Sequence, residues 1–220
     1  MVNISGANGR VAIEFNDFKV LQELLKCFEI AENWNYFTQL NTEDKDEIKG
    51  SELKYCVEYG FHGVGRGLYK DNIECFFHWL NADKNKVNWK LLEDSAFIIT
   101  FDYSEEDASM PCIYTPIIGL THRAGNKLPS GVFFDEYVNE DYEYSLVNLA
   151  TICGYDFWEE FDNYFSYPND EFVFSELSKQ KRDIESYLNK PLVQALQEHG
   201  YDDVIEMYNR EAKKKKKPEL

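Results

Sequence analysis

No stretch of this sequence approaches the roughly 18 consecutive apolar residues that would carry a helix across a bilayer. Its first ten residues, MVNISGANGR, lack the apolar segment of a secretory leader. Both absences point to a cytoplasmic protein without membrane contact. The five cysteines, Cys27, Cys56, Cys75, Cys112 and Cys153, are odd in number and far apart. There is no C-x-x-C pair, so the expectation is buried thiols in a reducing compartment, not a disulfide framework. Several catalytic signatures are also missing: the G-x-S-x-G elbow, the H-E-x-x-H pair, a kinase set and an EF-hand loop. Bases are scarce over one long stretch. Between Asp102 and Glu176 there are 16 acids against two bases, Arg123 and Lys127, for a net charge of −14.

What the chain has in quantity is acid and aromatic side chain. Its 220 residues carry a formal net charge of −17, with 16% aromatic and 44% hydrophobic residues. That is enough apolar material for a substantial core, and far too much for a disordered chain. A field this negative repels free nucleic acid and anionic membrane and attracts basic surfaces. The sign reverses only at the end, where Lys213–Lys217 are contiguous.

Periodicity divides the chain into elements. Strands are expected at Arg10–Phe15, Leu53–Tyr59 and Ala96–Tyr103, with further extended segments at Cys112–Leu120 and Val132–Tyr137. Phe18, Leu21, Leu25, Phe28 and Ala31 mark the inner face of one helix. Asp71-Asn72-Ile73-Glu74 has the form of a capping box opening a second helix, Asn72–Leu80. The polar run Asn41–Gly50 reads as a loop. The pattern turns helical from Tyr144, with later helices over Ser175–Leu188, after Pro191, and from Asp202. The order strand, helix, strand, helix, strand suits an α+β protein: an N-terminal ferredoxin-like β-α-β-α-β layer with an antiparallel sheet, followed by a helical C-terminal module. The expected boundaries are 1–142 for the sheet domain, 143–212 for the helical module and 213–220 for a mobile basic tail.

Four constellations could carry chemistry. The run Gly60-Phe-His-Gly-Val-Gly-Arg-Gly67 sits between a strand and a helix, where phosphate loops lie. It lacks the Lys-Ser/Thr of a P-loop and the third glycine of a dinucleotide fingerprint. A closely packed strand is the favoured reading, and an anion site on Gly63, Gly65 and Arg66 the alternative. Cys56, His62, Cys75 and His78 could compose a zinc site, against which stands the apolar setting of Cys75 and His78 among Phe76, Phe77 and Trp79. Asp102, Glu106 and Asp135 could hold Mg²⁺ or Mn²⁺, although 40 acids make such groupings common by chance. Lastly, Glu105, Glu106, Asp107, Asp135, Glu136, Tyr137, Glu140, Asp141 and Tyr142 combine carboxylates with tyrosines. Tyrosine offers large contact area at low entropic cost, and spaced carboxylates can imitate the phosphates of a nucleic acid.

Phe61–Asp107 resembles small ferredoxin-like proteins carried by plasmids and phages. The resemblance rests on Gly63–Arg66, the helix around Asn72–Leu80 and the strand ending in the acidic FDYSEED run. It covers under a quarter of the chain and implies a mobile-element origin and no site. The sequence thus leads to an expectation: a cofactor-free, acidic binding protein that blocks a basic nucleic-acid-processing enzyme, as phage anti-defence inhibitors do. An immunity protein against a toxin and a Mg/Mn-dependent enzyme are the alternatives. The aromatic helix faces would also allow two copies to pair.

Overall fold

The computed structural model describes residues 4–32, 38–50, 52–66, 68–80, 86–107, 112–138, 140–166 and 168–215. The chain divides into two compact units, Met1–Glu143 and Tyr144–Leu220.

The first unit is built on an antiparallel sheet of eight strands: β1 (Ile4–Phe15), β2 (Thr38–Ile48), β3 (Tyr55–Arg66), β4 (Phe97–Asp107), β5 (Cys112–Tyr114), β6 (Ile117–His122), β7 (Val132–Val138) and β8 (Asp141–Glu143). The order runs β2-β3-β1-β4. Beyond β4 the sheet splits, with β6 and then β7 along one half of β4, and β5 and then β8 along the other. Helix α1 (Phe18–Ala31) connects β1 to β2, and α2 (Tyr69–Glu74), α3 (Phe76–Trp79) and α4 (Trp89–Glu93) connect β3 to β4.

Alternation explains which face the helices cover. In β1 the residues Val11, Ile13 and Phe15 are fully buried; in β4 so are Phe97, Ile99 and Phe101. These odd-numbered side chains share one face of the pleat and pack with Leu24, Phe28, Tyr69, Phe76 and Leu92 from the helices into one core. Asp17 starts α1 by accepting the Lys19 N–H at 2.9 Å.

Several expectations need correction. Asn41–Gly50 is not a loop, because most of it belongs to β2. Its pairing with β3 shifts register between Asn41 and Lys45, so Thr42–Asp44 bulge out of the ladder. A polar edge strand with a bulge carries no apolar alternation, which is why it reads as loop. Among the described residues the sheet has eight strands, not the three of the expected layer. The proposed capping box does not open the helix. Helix α2 starts earlier, at Tyr69, with Asp71 inside its first turn, and it ends at Cys75 before α3. Strand β4 runs through the acidic segment to Asp107.

The second unit is helical: α5 (Leu146–Ile152), α6 (Phe157–Tyr164), α7 (Asp170–Leu188), α8 (Leu192–Glu198) and α9 (Asp202–Lys215). Leu146, Phe157, Phe161, Val173, Leu177 and Ile184 belong to its own buried core. The buried Gln180 is satisfied by accepting the Leu146 N–H at 3.0 Å. Gly200, at φ +81°, follows α8 in the left-handed conformation that terminates a helix. Lys213–Lys215, expected in a mobile tail, form the last turn of α9, where their charge suits the negative end of the helix dipole. Lys216–Leu220 lie outside the described residues.

Candidate functional site

The outer border of the sheet beyond β4 is formed by β7 and β8. Strand β7 pairs with β6 and β8 with β5, and no further strand pairs with either among the described residues. In β7 the residues Phe133, Asp135 and Tyr137 alternate with Val132, Phe134 and Glu136. Val132 and Phe134 pack against the core. Phe133 and Tyr137 do not: they are 53% and 63% exposed, and Val138 is 41% exposed. The Arg123 guanidinium lies over the Phe133 ring at 5.7 Å. Tyr137 lies across Gly119, where a Cβ would stand 3.0 Å from the ring. Glycine at that point lets the phenol rest on the sheet while most of it faces water.

Carboxylates accompany these rings. Asp135, Glu136, Glu140 and Asp141 are exposed and Tyr142 is half-buried. Glu136 reaches Lys70 of α2 at 3.5 Å. Glu140 accepts from the Tyr142 hydroxyl at 2.6 Å, which raises the Tyr142 phenol above its usual value. Glu106 is half-buried on β4. The side chain of Asp107 is outside the described residues, although its backbone pairs with Ser5.

Glu105 does not belong to this surface. It is 2% exposed, and its Oε1 accepts the Tyr69 N–H at 2.6 Å. The parity of β4 accounts for this: Phe97, Ile99, Phe101, Tyr103 and Glu105 all point to the helical face once the strand continues past Tyr103. Beside it, the Tyr103 hydroxyl is buried without a hydrogen-bond partner among the described residues. Burial, and then the charge of Glu105, push its phenol far up.

No protein-family model matches this chain, and neither a curated protein nor a solved structure matches it.

The other sequence candidates resolve into structure. Gly60–Arg66 is strand, paired with β1 on one side and, as far as Gly63, with β2 on the other. A Cβ on Gly63 would stand 2.2 Å from Cζ of Tyr69, so the glycine admits an aromatic ring. The anion-site alternative loses its first amide, because the Tyr69 N–H that a phosphate would approach is taken by the Glu105 carboxylate. Gly65 pairs with Ser5 and Arg66 with Ile4; the Arg66 side chain lies outside the described residues. Of the zinc candidates, Cys56 and His62 sit on the sheet face away from the helices, whereas Cys75 and His78 belong to the helical segment covering the other face. Asp102 and Glu106 are four residues apart on one strand, about 13 Å, and Asp135 is two strands away, about 10 Å. Among the described residues no three His, Cys, Asp or Glu side chains could hold a metal ion together, and no helix is long and apolar enough to cross a membrane.

Sequence reasoning missed Phe133 and Val138, whose exposure depends on which strand ends up at the border. It also missed a cluster towards the opposite edge of the sheet, on the face away from the helices. Arg10 of β1 donates from Nε to Glu58 at 2.6 Å, from Nη1 to both Asp44 oxygens at 2.8 Å and from Nη2 to Asp46 at 2.8 Å. The four residues come from three strands, and their spacing in sequence gives no sign of the pairing.

Proposed function

We propose that this chain is a protein-binding antagonist whose acidic, aromatic sheet border occupies the basic surface of a nucleic-acid-handling enzyme. The observation that carries the reading is the β7–β8 border, where exposed Phe133, Tyr137 and Val138 stand among Asp135, Glu136, Glu140 and Asp141. Single exposed apolar residues are ordinary, but aromatics grouped on a strand with a strand neighbour on one side only among the described residues fit a partner segment that adds to the sheet. The carboxylates would steer a basic partner and stand in for phosphates, while the rings supply salt-resistant contact area. The reading takes the order β2-β3-β1-β4 as a ferredoxin-like plan widened by β5–β8, with the added strands forming the binding border. An immunity protein that neutralises a toxin uses the same surface physics, and the exposed rings favour it if binding withstands salt.

The test is affinity capture from host lysate with the native chain and with the Asp135→Asn/Glu136→Gln/Glu140→Gln/Asp141→Asn variant. A basic nucleic-acid enzyme retained by the first, lost by the second and released as salt rises supports the decoy. Retention at moderate salt of a toxin supports immunity. A partner bound equally by both proteins refutes the electrostatic mechanism.

A further inference from the structure

On the sheet face away from the helices, at the end distant from β7, lies a groove of about 650 Å³. That volume falls in the range of small-molecule sites. Its lining includes Asn8 and Gly9 of β1, Gln39 and Asn41 of β2, and Gly60 and His62 of β3, together with Thr42–Asp44 of the β2 bulge. The bulge forms one wall. Asn41 Oδ1 accepts the N–H groups of Glu43 and Asp44 at 3.2 and 3.4 Å, and Arg10 anchors the Asp44 carboxylate from below. Asn8 and His62 form the opposite wall, joined by a 2.8 Å hydrogen bond between Asn8 Oδ1 and His62 Nδ1. When Asn8 Oδ1 accepts in that bond, Nδ1 carries the proton and Nε2 of the neutral ring is left as an acceptor. The floor is backbone at Gly9 and Gly60. A Cβ on Gly60 would stand 2.5 Å from Asp44 Oδ2, so only glycine lets that carboxylate close over the sheet.

The chemistry of the lining selects a class of ligand. Glu43 and Asp44 are anionic, and no Lys or Arg is among the lining residues. Arg10, which pairs with Asp44, is shared with Asp46 and Glu58, so this group as a whole stays negative. Carboxylates, side-chain amides and an imidazole acceptor around a flat glycine floor match a planar donor. We infer that the groove between the β2 bulge and the Asn8–His62 pair binds a small organic cation of the guanidinium or amine class, either free or at the end of a peptide side chain. A guanidinium would lie over the backbone of Gly9, beside the Asp44 carboxylate that covers Gly60, donate to Glu43 and to the outer edge of Asp44 on one side, and meet the Gln39 amide and His62 on the other.

A chain of net charge −17 attracts any amine loosely, so the test must separate a site from an atmosphere. The probes are agmatine and a doubly capped arginine, each titrated at about 0.15 M salt, where diffuse attraction is screened beyond roughly 8 Å, and followed by amide chemical shifts. Expected are saturable shifts centred on Asn8, Asn41, Glu43, Gly60 and His62. Glu43→Gln and Gly60→Ala should weaken binding about tenfold or more, the scale of one charge-assisted hydrogen bond. Glu159→Gln, which removes the same charge from an exposed position on α6, should leave it unchanged. Glu43 is exposed, so its variant keeps the fold and the test does not depend on the glycine substitution. Tighter binding of agmatine identifies a free ligand, and tighter binding of capped arginine identifies a peptide side chain; either upholds the site. Absence of saturation with both probes, equal affinity in Glu43→Gln, or shifts spread over the acidic residues of both units would overturn it. So would tighter binding of inorganic phosphate at the same amides.

Discussion

Replacing Gly63 by alanine tests whether the glycine run serves packing. The added Cβ would meet Cζ, the hydroxyl oxygen and Cε2 of Tyr69 at 2.2, 2.3 and 2.5 Å. Ordinary contact needs about 3.5 Å or more, so the ring must move by over an ångström. It has little room. Tyr69 is fully buried, stacks on Phe61 at 6.0 Å and meets Tyr103 edge-on at 5.6 Å, and its N–H is held by Glu105. Overpacking of this kind costs about 1–3 kcal/mol, and the loss here should lie at the upper end, because a displaced Tyr69 also disturbs the Glu105 contact. For a protein of this size about 3 kcal/mol lowers the melting temperature by roughly 6–12 °C. Urea denaturation followed by tyrosine and tryptophan fluorescence measures it directly. The cause is isolated by a double-mutant cycle with Tyr69→Leu: the pair should cost clearly less than the sum of the single changes, since the shorter side chain vacates the contested space. Tyr69→Phe would not serve, because two of the three close atoms are ring carbons. A Gly63→Ala loss below about 0.5 kcal/mol, or strict additivity in the cycle, would refute the reasoning.

Glu105→Ala strands the buried Tyr69 N–H and should cost about 1–3 kcal/mol, whereas Asp135→Ala, which removes an equal charge from the exposed border, should stay within about 0.5 kcal/mol; equal costs in denaturant titration would contradict the placement of Glu105. Glu23 titrates below its usual value: burial works against this, but the Asn88 N–H at 2.8 Å and Lys26 at 2.7 Å outweigh it. A depressed carboxyl adds stability above its unfolded pKa of about 4.3 and loses it as pH falls through the folded value, so Glu23→Gln should narrow the difference in stability between pH 6 and pH 3, measured by urea titration at each pH. Burial raises the Cys27 thiol to about 12, and burial with Glu14 and Glu58 raises Cys56 to about 11, while Cys75 and Cys112 are half-buried. Maleimide labelling of the native protein at about pH 8 should therefore modify Cys75 and Cys112 first, and peptide mass spectrometry showing Cys27 labelled as fast would argue against the packing.

How far the sequence spoke depended on the kind of signal each element carries. The helix over Phe18–Ala31 and the strand through Phe97–Phe101 were legible because one face of each is buried and the period shows. The mixed α+β class and the antiparallel sheet followed from them. β2 was not legible: its side chains are polar on both faces, and only pairing with β3 makes it a strand. Nor was α2, since its start is fixed by a carboxylate 36 residues away. β5, β6 and β7 fall in the segments expected to be extended, Cys112–Leu120 and Val132–Tyr137; the division into β5 and β6 around Pro116, the bulge at Ile117 and Ile118 and the three-residue β8 were not read. At the border, the acids were visible in the sequence and their neighbours Phe133 and Val138 were not, since exposure at an edge is a property of the finished sheet.

The same distinction governs how the charge should be interpreted. Many of the 40 acids are committed to the fold. Glu14 accepts from the N–H groups of Glu52 and Leu53, Asp156 caps α6, Glu185 accepts the Leu192 N–H, and Glu176 and Asp162 hold the hydroxyls of Tyr164 and Tyr201. A carboxylate spent in this way has a fixed partner and a fixed direction, and substituting it measures folding before it measures binding. Counting acids between Asp102 and Glu176 therefore overstates what a partner would meet. What remains for recognition is the subset that the alternation of β7 and the loop before β8 turn outward beside exposed rings. Substitutions at Asp135 and Asp141 should thus change partner affinity without changing stability. Substitutions at Glu105 should change stability first, and any effect on the partner should follow the fraction of chain that stays folded. Measuring both quantities on the variants at these three positions separates a binding surface from an acidic composition.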